Sequence, residues 1–147
     1  CQLVAACDLA VAADDSHFAT SGINVGLFCS TPSVPVSRNL GRKQAMELLL
    51  TGHFIDAHTA LQWGLVNRVV PASRLDQEVA DLAGSIMSKS WVAVATGKRM
   101  FYKQLELPLE SAYDYASGVM AGNMMADDVE EGVDAFMQKR TPVWRHQ

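Results

Sequence analysis

The chain has 147 residues, 49% of them hydrophobic and 19% charged, with a net charge of -4 and a pI near 5.5. That apolar share supports one core of ordinary domain size and excludes disorder. The mildly acidic balance excludes general nucleic-acid binding, which needs clustered Lys and Arg, and no run reaches the ~18 apolar residues of a membrane span.

The sequence opens on Cys1-Gln2-Leu3-Val4-Ala5-Ala6-Cys7-Asp8, without a Met and without a cap. The start falls inside an element, so the chain reads as the later half of a longer fold. Residues 8–13 are short and apolar and are closed by Asp14-Asp15-Ser16. They read as a buried strand containing Asp8, preceded by a helical turn. Residues 18–36 are rich in Gly, Ser, Thr, Asn and Pro, and Pro32 and Pro35 argue against a regular element there. A loop this long in a compact domain points to function.

From Arg42 the pattern turns helical. Ala45, Met46, Leu48 and Leu49 form one face, and Gly52 is placed as the stop. The nearby Arg38, Arg42 and Lys43 read as a solvated helix start. Asp56 is placed to cap a short helix through Trp63, ended by Gly64. Residues 65–70 read as a strand stopped by Pro71. Ser73 and Asp76 have capping-box spacing before a helix whose Leu75, Val79, Leu82, Ala83 and Ile86 form one buried stripe. Residues 91–105 form the next helix. Pro108 opens another, which runs to about 126. Asp128 and Glu131 are a second capping-box candidate, before an apolar stripe of Val129, Val133, Phe136 and Met137. Two strands among several helices cannot close a sheet, so further strands are expected from the segment before Cys1.

The three cysteines, Cys1, Cys7 and Cys29, have no CxxC spacing, and His17, His53, His58 and His146 have no metal-ligand spacing. Neither a disulfide framework nor a metal site is expected. A reducing compartment follows, the cytoplasm or the mitochondrial matrix.

Four stretches in order resemble the enoyl-CoA hydratase/isomerase (crotonase) superfamily. They are Cys1-Gln2-Leu3 with Cys7-Asp8, then Phe18 to Leu27 with Leu50-Thr51-Gly52 downstream, then Ala57…Ala60…Gly64-Leu65-Val66…Val69-Val70-Pro71, and Glu131-Gly132-Val133…Phe136…Lys139-Arg140…Val143-Trp144. The resemblance covers nearly the whole chain. It implies an α/β crotonase (ClpP-like) spiral of ββα turns, of which residues 1–71 are the end. Residues 72–147 would be a helical oligomerisation region, giving a trimer or a dimer of trimers. It implies acyl-CoA or enoyl-CoA thioesters as substrate or ligand, with no cofactor besides. Two backbone N–H groups, both preceding Cys1, would hold the thioester oxygen.

Phe18, Ser21, Gly22, Asn24 and Phe28 are the candidate acyl-binding residues, with Ser21 and Asn24 placed either to hydrogen-bond an acyl group or to brace the loop itself. Phe136 and Lys139, three apart on one helix, would face the adenine and phosphate of a neighbouring subunit's ligand. The family's hydratases carry two glutamates where this chain has Gln2 and Gly22. An amide is no base near neutral pH, and glycine has no side chain. Each positioned acid–base group is worth ~10²–10⁴ in rate, so ordinary hydration is not expected. Asp8, Asp14 and Asp15 are the carboxylates nearest in sequence, and Cys29 and His17 read as a small buried thiol and a surface histidine. Three readings follow: a CoA-thioester enzyme of different chemistry, a non-catalytic acyl-CoA-binding or regulatory protein, or a structural subunit.

Overall fold

Helix-forming stretches and glycine stops set the element order through residues 1–145, which the computed structural model describes; His146 lies outside the described residues. The order is α1 (Gln2–Ala6), β1 (Val11–Ala13), β2 (His17–Phe18), a 3₁₀ turn (Ser21–Val25), α2 (Ser30–Asn39), α3 (Arg42–Thr51), β3 (Ile55–Asp56), α4 (Ala57–Trp63) and β4 (Arg68–Val70). A second 3₁₀ turn (Ala72–Arg74) leads to α5 (Leu75–Met87), α6 (Trp91–Gln104), α7 (Leu109–Asn123) and α8 (Asp127–Met137). The chain divides into two compact units, Cys1–Asp81 and the residues from Leu82 onward.

In the first unit the core is built from small and branched residues: Ala5, Ala12, Val36, Leu40, Ala45, Leu48, Ala57, Ala60, Leu65 and Val66. The strands anticipated at 8–13 and 65–70 pair with each other, in parallel, with Val11 opposite Arg68 and Ala13 opposite Val70. One partner of β1 thus lies within this chain. Asn67 extends the ladder by one step: its Oδ1 accepts from Ala10 N–H at 2.8 Å and its own N–H donates to Ala10 C=O at 2.8 Å. Asp8 lies in an exposed bend before β1, not in the strand. A second pair, β2 with β3, is antiparallel.

The expectation of an irregular 18–36 fails at α2, which is helical despite two prolines. Pro32 is its third residue, where an N–H has no helical partner to lose. Pro35 does forfeit a bond. The helix persists because Val36 is 0% exposed and Leu40 is buried. Asn39 Nδ2 also ties it, donating to Pro35 C=O and Ala5 C=O at 2.8 Å each. Gly52 and Gly64 adopt φ of 62° and 87° and stop α3 and α4, a left-handed conformation that costs glycine nothing. Asp56 Oδ1 caps α4 by accepting from Thr59 N–H at 2.7 Å, which holds its carboxyl below the ordinary range.

α5 departs from its sequence reading. It is entered through a 3₁₀ turn that contains Ser73, so Ser73 is no N-cap. Its apolar stripe is not buried, with Val79 and Ile86 exposed. In the second unit α6 and α7 pack together, and Pro108 stands at the N-cap of α7, which ends at Asn123. Ser90 caps α6, accepting from Ala93 N–H at 3.2 Å. Asp128 and Glu131 do not cap α8. Asp128 is buried and bridges Ser90 Oγ–H, at 2.5 Å, to Arg145 N–H, at 2.7 Å. Trp144 lies against Gly132, where an added Cβ would sit 3.4 Å from the ring, and its Nε1–H donates to Ser88 C=O at 2.8 Å. Among the described residues no helix is long and apolar enough to cross a membrane.

Candidate functional site

The loop after β2 is built from short-range turns tied to the end of α3. Thr20 is buried, and its Oγ1–H donates to Leu48 C=O at 2.8 Å. Asn24 Nδ2 donates to Gly52 C=O at 3.3 Å. Between these anchors the chain closes on itself: Leu27 N–H donates to Gly22 C=O at 3.0 Å, and Gly26, at φ 80°, donates to Ile23 C=O at 3.1 Å. The loop then enters α2 through Cys29, whose C=O accepts from Ser33 N–H at 2.9 Å.

The five candidate acyl-binding residues fall on this loop or, for Phe18, on the strand that enters it. Phe18 is half-buried and packs against the core. Ser21 is exposed. Asn24 gives one amide N–H to Gly52 C=O and so braces the loop. Phe28 lies exposed at the far rim, beside exposed Val25 and Leu27. Gly22 is tightly enclosed: a Cβ there would stand 2.7 Å from Leu27 O and 2.8 Å from Cys29 Sγ. Gln2 opens α1 and is exposed. Positions 2 and 22 therefore offer an amide and no side chain, and neither can take up a proton near neutral pH. Asp8, Asp14 and Asp15 are exposed, and His17, also exposed, donates from Nδ1 to Asp15 C=O at 3.0 Å. Cys29 is a half-buried free thiol. Leu27 O and Cys29 Sγ, as the groups that enclose Gly22, were not legible in sequence, since no periodicity records such a close approach.

The second candidate region is the end of α8. Phe136 was read as part of a buried stripe, but it is 81% exposed. Lys139 lies past the helix end, after the C-cap Gln138, at φ 54°. Lys139 N–H donates to Phe136 C=O at 3.2 Å and Arg140 N–H to Ala135 C=O at 3.0 Å, the paired bonds of a Schellman stop. The two side chains are therefore not stacked on one helical face. The tail beyond is held by Glu131, which accepts from Arg140 Nη1 at 2.5 Å, Arg140 Nη2 at 2.8 Å and Val143 N–H at 2.7 Å. These bonds, the Arg140 pair first, lower the Glu131 pKa to about 2 and raise that of Arg140. A cavity of about 360 Å³, lined by Val92, Asn123, Val129, Phe136 and Trp144 among others, lies alongside.

The family model for enoyl-CoA hydratase/isomerase matches residues 1–147. The mitochondrial enoyl-CoA hydratase domain-containing protein 3 of Rattus norvegicus is 53% identical over 146 residues, covering 99% of this chain and 49% of that protein. The crystal structure of an enoyl-CoA hydratase from Mycobacterium smegmatis matches with a TM-score of 0.95 and 56% identity, over 98% of this chain and 56% of that one. The crystal structure of human enoyl coenzyme A hydratase domain-containing protein 3 matches with a TM-score of 0.93 and 51% identity, over 98% and 57%. The chain spans about half the length of the curated relatives it matches.

Proposed function

The chain belongs to the enoyl-CoA hydratase/isomerase family, and from that premise we propose that the protein binds acyl-CoA or enoyl-CoA thioesters at a site whose chemistry is not ordinary hydration. The observation that carries this reading is the enclosed Gly22, together with an exposed amide at Gln2 in place of a second carboxylate. Hydration needs a group to take a proton from water and one to deliver a proton to carbon. Neither position provides one. Two backbone N–H groups from the segment before Cys1 would hold the thioester oxygen and stabilise an enolate-like state, and loss of one such donor typically costs ~3 kcal/mol. Isomerisation, thioester hydrolysis or decarboxylation can use that stabilisation with proton-transfer groups placed elsewhere.

In this assignment Phe18, Ser21, Gly22, Asn24 and Phe28 border the acyl group, and Phe136 and Lys139 reach the adenine and phosphate of a neighbouring subunit's ligand. The exposure of both helix-end residues supports an outward role. Residues 1–71 end the catalytic spiral and residues 72–147 form the oligomerisation region. Relatives from mitochondria and from a bacterium match at similar identity, which supports the mitochondrial matrix or the cytoplasm. Alkylation of Cys1, Cys7 and Cys29 in unbroken cells tests that assignment, and oxidised thiols would oppose it.

The deciding experiment is turnover of crotonyl-CoA by the full-length protein. Hydration is expected orders of magnitude below that of a family hydratase carrying both glutamates. A kcat within roughly tenfold of such an enzyme would sink the reading. Calorimetry with acetyl-CoA separates a ligand-binding protein from a structural subunit, because a subunit that only assembles shows no binding.

A further inference from the structure

We infer that the loop from Thr20 to Cys29 is built closed at Gly22, so that its backbone excludes every side chain from that position and holds the site against a second acid–base group. An empty position and a closed one differ in consequence. An empty position accepts a glutamate on substitution, whereas a closed one must first move its walls.

The walls are specific. A Cβ on Gly22 would meet Leu27 O at 2.7 Å and Cys29 Sγ at 2.8 Å, both inside the 3.0 Å that real Cβ contacts essentially never breach. The nearer obstacle is a main-chain carbonyl, which cannot turn aside as the tip of a long side chain can. Leu27 is tied back to the loop by its N–H bond to Gly22 C=O, at 3.0 Å. The turn between them is set by Gly26 in the left-handed region. The loop is anchored through Thr20 to Leu48 C=O and through Asn24 to Gly52 C=O. Gly52 is packed equally hard from the other side, since a Cβ there would lie 2.7 Å from Ile23 Cγ2. Cys29 is held in turn by the bond from Ser33 N–H.

The closure is a property of the loop and its anchors at the end of α3. Its meaning for reaction specificity rests on the proposed CoA-thioester site.

The test uses the full-length protein with Gly22→Ala, Gly22→Ala/Cys29→Ala, Gln2→Glu and Gln2→Glu/Gly22→Glu. Gly22→Ala is expected to lower Tm by at least about 2 °C, because overpacking a fixed backbone is destabilising. Removing the Cys29 thiol should restore only part of that fall, since the Leu27 carbonyl remains. The double glutamate variant should hydrate crotonyl-CoA no more than about tenfold faster than Gln2→Glu. A smaller fall for Gly22→Ala, full recovery on removing the thiol, or a folded double variant that exceeds the tenfold limit would each overturn the inference. If the double variant does not fold, the two Gly22→Ala proteins still decide. Wild-type binding of acetyl-CoA is measured in parallel: its absence would remove the CoA-thioester reading and leave the closure judged by Tm.

Discussion

Glu131 holds the chain beyond α8 through three hydrogen bonds, two from the Arg140 guanidinium and one from the Val143 amide. All three favour the carboxylate, which is why its pKa falls from 4.5 to about 2. A carboxyl whose pKa is lower in the folded state stabilises that state above its unfolded value, and the contribution is lost as pH falls through the folded value. Glu131→Gln is therefore expected to lower Tm at neutral pH, with the gap from wild type constant above about pH 4.5 and closing toward pH 2. Thermal melts of both proteins from pH 7 to 2 check this. A gap that persists unchanged to the acid end would assign the loss to something other than the carboxylate. The sequence shows Asp128 and Glu131 only as residues at capping spacing. Their partners, Ser90, Arg140, Val143 and Arg145, lie up to 38 residues away, and local spacing carries no record of them.

At the scale of elements, helices with a polar stop and good helix formers were legible. α3 and α4 end at glycines in left-handed conformation, and α4 begins on Asp56, all as local chemistry requires. α2 was not legible, because Pro35 opposes it locally and burial of Val36 and Leu40 outweighs that cost. The end of α8 was not legible: spacing put Lys139 on the helix with Phe136, whereas the helix stops at Met137 and the left-handed turn at Lys139 takes that residue off its face. The geometry bears on ligand binding. Lys139→Ala is expected to weaken acetyl-CoA binding by the full-length protein roughly fivefold to tenfold at low salt, and the loss should shrink as salt rises. Phe136→Ala should leave Tm nearly unchanged in view of the exposure of its ring, a reversal of the 3–5 kcal/mol typical of a buried Phe. Equal affinity of wild type and Lys139→Ala at low salt would make Lys139 a solvated helix end.

At the scale of the whole molecule, apolar surface exceeds what the chain covers. Tyr113 is 69% exposed and Met125 84%, while Leu109, Phe101 and Met120 are exposed as well. Patches rich in Met and aromatic residues mark interfaces. The full-length protein is accordingly expected to self-associate, as a trimer or a dimer of trimers if it follows the assembly that the family resemblance implies, and a stable monomer in sedimentation at micromolar concentration would refute this. By itself the sequence determined the family, the later half of its fold, the glycine stops of α3 and α4 and the absence of glutamates at positions 2 and 22. Each is carried by residue identity or by spacing along one element. Only the tertiary structure decided that β1 pairs with β4, that Pro35 sits inside a helix, that the α5 stripe is only partly covered and that Gly22 is walled by Leu27 and Cys29. Those features arise where distant or neighbouring backbone closes on a residue, and identity and periodicity are blind to such approaches.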